Sequence, residues 1–185
     1  MPFRPERLDV RSFARQQAQL QGQRSLSEFE RLREEVFGLS AEDLLGVMVT
    51  WSAIGQWREI RGGAAQTWLV LQASVSLPLQ CQRCLKTVQQ TVKVDRAFHF
   101  VVDEATALTL DDESEDDVLV ASKTFDLLAL IEDELLMAMP IVARHEVCPE
   151  PLVVVESTQE LTAEQPAAPH KPNPFEALKA LKTGR

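Results

Sequence analysis

Three cysteines in 185 residues are too few, and odd in number, for a secreted disulfide framework. No apolar run approaches the roughly 18 residues of a membrane helix. The opening MPFRPERLDV lacks the apolar core of a signal peptide. These absences lead us to expect a cytoplasmic protein without membrane contact, whose thiols are structural, metal-binding or reactive. P-loop, GxSxG and HExxH patterns are missing, as is any paired acid–base constellation, so an enzyme is not expected. What is there is a 45% apolar composition, over a length that suits one ordinary domain plus tails.

Charge is unevenly spread. Residues 101–160 carry sixteen acidic and two basic side chains, whereas the rest has seventeen basic and twelve acidic ones. Arg4, Arg7, Arg11, Arg15 and Arg24 make the N-terminus locally basic, as do Arg83, Lys86, Lys93 and Arg96 around residues 76–100. Phosphate binding depends on local positive charge, so both patches keep nucleic-acid contact open against a net charge of -9.

The stretch from Gln66 to Val102 alternates with the period of two that one buried sheet face requires. It reads as two strands joined at Cys81-Gln82-Arg83-Cys84. Leu44–Trp57, with Val47, Val49, Trp51 and Ala53 on one face, reads as a preceding strand, and Gly62-Gly63 as its turn. The result is an antiparallel meander of three to four strands in an α+β fold. Trp51, Trp57 and Trp68 fall within the apolar alternation and read as sheet packing.

Around the meander the pattern is helical. Asp9 can cap a helix through about Gln21, ended by Gly22. Ser27 with Glu30 suggests a capping box for a second helix, ended by Gly38. Residues 103–117, containing DDESEDD, read as a flexible acidic loop without the glycine and ligand spacing of an EF-hand. Val118 to Ala121 can add a short strand. The clearest helix follows, capped by Ser122 or Thr124, buried through Leu127, Leu128, Ile131, Leu135 and Ala138, and ended by Pro140. Its Glu132, Asp133 and Glu134 lie mostly off the apolar stripe and read as solvated surface.

Cys81 and Cys84 have CxxC spacing, and His145 and Cys148 have HxxC spacing. Three thiolates and one imidazole suit tetrahedral zinc, tying the hairpin to the segment after the central helix. The alternative is a tight turn whose thiols simply pack. A redox pair is disfavoured because no helix N-terminus stabilises its thiolate.

Residues 1–155 thus form one expected α+β domain, 156–172 a flexible linker and 173–185 a short C-terminal helix. In that helix Asn173 caps, Pro174 takes the first helical position, and Phe175, Leu178 and Leu181 form an apolar edge. So short a helix needs a surface to dock on, either this chain's body or a partner's groove.

LQCQRC at Leu79–Cys84, FDLLALIEDELLMAMPIV at Phe125–Val142 and KPNPFEALKALK at Lys171–Lys182 occur here in that order. Together they resemble the YceD-type large ribosomal RNA subunit accumulation proteins. The resemblance implies a non-enzymatic bacterial ribosome biogenesis factor, needed for normal accumulation or processing of 23S ribosomal RNA. Some relatives carry further cysteines after the proline matching Pro140; here Cys148 and His145 occupy that region. On this basis Arg83, Lys86, Lys93 and Arg96 are candidate RNA contacts. The acidic loop would engage basic ribosomal proteins, and the Asn173–Lys182 helix a second component. A protein-binding adaptor with a structural zinc knuckle and no RNA contact is the alternative.

Overall fold

The longest elements are the two strands anticipated around the cysteines, β3 (Gln66–Gln80) and β4 (Thr87–Val101), paired antiparallel from Thr67↔Phe100 to Gln80↔Thr87. The computed structural model describes residues 3–113 and 117–149. Among these, β1 (Gln19–Ser25), β2 (Met48–Arg58), β3, β4 and β5 (Asp117–Val120) form one sheet in that spatial order. The α-helices are α1 (Val10–Arg15), α2 (Ala41–Gly46), α3 (Glu104–Glu113) and α4 (Leu127–Met137). The α+β class holds, with five strands rather than three or four.

One sheet face makes the core. Leu69, Leu71, Val75 and Leu77 of β3 and Val92, Val94, Phe98 and Phe100 of β4 meet Val10 and Phe13 of α1, and Leu127, Ile131 and Leu135 of α4. Burial of such side chains, about 1.5–3 kcal/mol each, is the dominant stabilising term. Helix α1 can lie directly on β2 because Gly55 has no side chain, where a Cβ would come within 2.7 Å of the Phe13 carbonyl oxygen. The opposite face carries Gln21, Ser52, Gln72, Ser74, Lys93 and Asp95 around an open groove.

Several elements differ from expectation, for identifiable reasons. The first helix stops at Arg15, and Gln17 turns the chain with φ 48 into an edge strand whose Gly22 pairs with Trp51. Glutamine favours helix weakly, and cross-strand pairing overrides it. The second helix is replaced by two short 3-10 turns, Leu26–Glu28 and Leu32–Glu34, which bury Leu26 and Leu32. Continuity is lost because the N–H groups of Arg31 and Leu32 donate to the Glu132 carboxylate, at 2.7 and 3.1 Å, rather than to a preceding turn. The strand expected from Leu44 begins at Met48, after α2, which Ser40 and Asp43 cap reciprocally.

The acidic 103–117 segment is not all loop. Asp103 accepts the Thr106 N–H at 2.8 Å and opens α3, which runs to Glu113. That helix returns the chain so that β5 pairs parallel to β4, which a parallel pair requires of its connection. Helix α4 is capped by Asp126, through Leu128 and Ala129 N–H bonds of 3.0 Å, rather than by Ser122 or Thr124. The expected linker 156–172 and C-terminal helix 173–185 lie outside the described residues.

Candidate metal centre

The β3–β4 turn is built to hold two thiols in fixed positions. Cys81 donates its N–H to the Lys86 carbonyl at 2.9 Å, and its own carbonyl accepts the Leu85 N–H at 2.8 Å. Leu85 takes the left-handed backbone, φ 61, that lets the loop close. Cys81 is wholly buried and Cys84 half-buried. Two bonds then lay the segment after α4 along this turn: Gln82 N–H donates to the Ala143 carbonyl at 2.8 Å, and Gln90 Nε2 to the Arg144 carbonyl at 3.4 Å.

His145 and Cys148 arrive beside the two turn cysteines. One ligand atom from each of Cys81, Cys84, His145 and Cys148 lies within 4.8 Å of the other three. His145 Nδ1 sits 3.4 Å from Cys84 Sγ, while Nε2 sits 3.0 Å from the Thr87 carbonyl oxygen. A carbonyl only accepts, so Nε2 carries a proton, and in the neutral ring Nδ1 offers its lone pair toward the thiols. A backbone carbonyl holding the far nitrogen of an imidazole is the usual second layer of a metal-binding histidine.

Electrostatics point the same way. Burial pushes the Cys81 thiol up, but the backbone N–H groups of Cys84, His145 and Arg83 outweigh it and draw it down to about 5. Burial, together with neighbouring Cys148 and Cys81, pushes the Cys84 thiol up. Packed thiols repel one another as thiolates, a conflict that a dication between them resolves. Arg83 donates Nε–H to Cys148 Sγ at 3.0 Å, and its NH2 group to the carbonyls of His145 and Glu146 at 3.0 and 3.2 Å. A three-sulfur, one-nitrogen set of this kind suits a closed tetrahedral ion, and the residues present fit it.

The basic residues singled out for RNA do not form one surface. Arg83 is exposed, but its Nε and NH2 groups are engaged by the Cys148–His145 segment as just described. Arg96 is ion-paired with Asp117 on the core side of β4. Lys93, three residues earlier on the strand, projects from the opposite face, and Lys86 is exposed at the turn. Asn173, Pro174, Phe175 and Leu178 lie outside the described residues.

Two of the three α4 carboxylates are not the solvated surface expected: Glu132 and Glu134 are buried, while Asp133 is exposed. Glu132 also meets the Arg31 guanidinium at 3.0 Å, adding to its two backbone bonds, and Asp133 meets the same group at 2.6 Å. Burial pushes the Glu134 carboxyl up despite the pull of Arg96.

The family described as "Large ribosomal RNA subunit accumulation protein YceD" matches residues 69–182. The Haemophilus influenzae protein of the same description is 29% identical over 116 residues, which cover 60% of this chain and 63% of that protein. The chain therefore spans less than two thirds of that curated relative's length. No solved structure matches.

Proposed function

The chain belongs to the YceD family of large ribosomal RNA subunit accumulation proteins, and from that premise we propose a non-enzymatic, cytoplasmic factor in large-subunit biogenesis. It supports accumulation and processing of precursor 23S ribosomal RNA by binding that RNA, large-subunit ribosomal proteins, or both. The observation that carries the reading is the span of the match, which runs from β3 through the cysteine turn and α4 into the tail.

The metal centre is assigned zinc, on the strength of its sulfur and nitrogen donors and the His145 tautomer. Bound there, zinc would supply a redox-inert cross-link. Cys81 and Cys84 would hold it from the turn, His145 and Cys148 from the following segment, and Thr87 would orient the imidazole. In the tail, Asn173, Pro174, Phe175 and Leu178 would present a short helix to a partner's groove.

A second reading, a protein-binding adaptor without RNA contact, is favoured by the inward engagement of the Arg83 Nε and NH2 groups and the ion pair of Arg96. Depletion of the protein should lower 23S relative to 16S ribosomal RNA and raise its precursor, with rescue by the intact chain. Unchanged ratios in depleted cells would refute the proposal. A mobility shift of a precursor fragment at physiological salt separates RNA contact from the adaptor reading.

A further inference from the structure

Among the described residues three arginines are ion-paired: Arg24 is held by Glu6 and Glu28, Arg31 by Glu132 and Asp133, and Arg96 by Asp117. Around one cleft three cations gather without such a pair. Arg11 and Arg15 of α1, and Lys123 after β5, line a cavity of about 330 Å³ together with Ser12, Ser122 and Asp9. All three cations are exposed, and among the described residues no ion pair joins any of them to a carboxylate.

The one acid in the lining, Asp9, stays ionised: the Ser12 N–H, helped by Lys123, holds its carboxyl below the usual range, so three cations face one carboxylate in the cleft. Asp9 accepts the Ser12 N–H at 3.0 Å and the Ser12 hydroxyl at 2.8 Å, as the cap of α1. The Arg15 guanidinium lies 4.9 Å from the Trp57 ring centre, which directs it without cancelling its charge. Val102 follows the end of β4 and also borders the cleft. The cleft is therefore at the far end of a 15-residue strand from the cysteine turn, about 45 Å away along β4.

We propose that this cleft seats backbone phosphates of precursor ribosomal RNA, so that the protein meets RNA at the end of its sheet opposite the metal centre. The proposal rests on the function argued above and places its RNA contact. Guanidinium forks and an ammonium match phosphate oxygens, and the Ser122 hydroxyl can donate to the same groups. In a chain with net charge of -9, a local excess of cations confines polyanion binding to the patch and makes it strongly salt-dependent. Among the described residues no aromatic ring lines this cleft for a base to stack on, and its cations are the groups that meet phosphate oxygens, so the contact is assigned to backbone.

The test is fluorescence anisotropy of a labelled 23S precursor fragment, titrated with the full chain across a salt series. Arg11→Gln and Lys123→Gln should each flatten the slope of log Kd against log salt by about one, and the double variant should bind at least about tenfold more weakly. Both positions are exposed, so thermal midpoints and zinc content should stay at wild-type values. Arg33→Gln, at an exposed cation in the Leu32–Glu34 turn, should bind as wild type does. If the wild-type chain binds RNA and the double variant binds equally well, or Arg33→Gln loses as much, the cleft is refuted while RNA contact stands. If the wild-type chain binds no RNA, the cleft and direct RNA contact both fall and the adaptor reading replaces them.

Discussion

Arg83 donates its Nε–H to the sulfur of Cys148 at 3.0 Å, joining two residues 65 apart in the chain. The arginine between the turn cysteines thus holds the other half of the ligand set, and two carbonyl contacts from its NH2 group fix the same segment. With three thiolates and one dication the centre would carry one net negative charge, which the guanidinium offsets.

Arg83→Gln should therefore weaken zinc binding roughly 10–100-fold, the usual effect of removing a group that orients a ligand. Chelator competition measures it, and cobalt substitution should show an altered sulfur-to-metal absorption band. Wild-type affinity and an unchanged cobalt spectrum in the variant would remove Arg83 from the centre.

Cys81→Ser should abolish stoichiometric metal, because Cys81 is the most deeply buried of the four ligands. Chelation should lower the thermal midpoint of the wild-type chain and leave the variant's unchanged, since binding energy to a folded site is folding energy. Elemental analysis of chain purified under reducing conditions with zinc supplied gives the count; a metal-free wild-type chain would contradict the assignment.

Much of this centre was legible as chemistry but not as geometry. The CxxC and HxxC spacings name the four donors, whereas their approach depends on Gln82 and Gln90 holding a segment that no local pattern links to the hairpin. Strands β3 and β4 and helix α4 were readable because each is long and strictly periodic. Strand β1 was not, since Gln19–Ser25 gains its structure from Trp51 and its neighbours across the sheet. Helix α3 was hidden by its charge: the acidic run suggested a loop, but the cap at Asp103 and the following EATALTL supply the helix. For Arg83 and Arg96 the sequence shows a cation but not the sulfur or carboxylate that each one meets.

The Glu132 clasp predicts an asymmetry. Glu132→Ala leaves the Arg31 and Leu32 N–H groups without their acceptor and should cost about 2–4 kcal/mol. Arg31→Ala removes a side chain that is 54% exposed and should cost under about 1 kcal/mol. Urea unfolding of both variants measures the pair; equal losses would show that the guanidinium, not the backbone bonds, holds the clasp.

Asp9→Ala should cost about 1 kcal/mol at neutral pH, the ordinary worth of a helix cap. The Ser12 N–H holds the Asp9 carboxyl below its usual range, outweighing the upward push of burial. Because the folded value is the lower one, the cap's contribution is full above the ordinary aspartate value and is lost as pH falls through the lowered one. The stability gap between wild type and variant should narrow across that acid window. A gap independent of pH would show that the carboxylate charge does not matter.

The most direct test of the whole account is crosslinking of the intact protein in growing cells, followed by identification of the RNA and proteins recovered with it. The account predicts enrichment of precursor 23S ribosomal RNA or large-subunit ribosomal proteins over small-subunit components. Recovery of neither above background would contradict it.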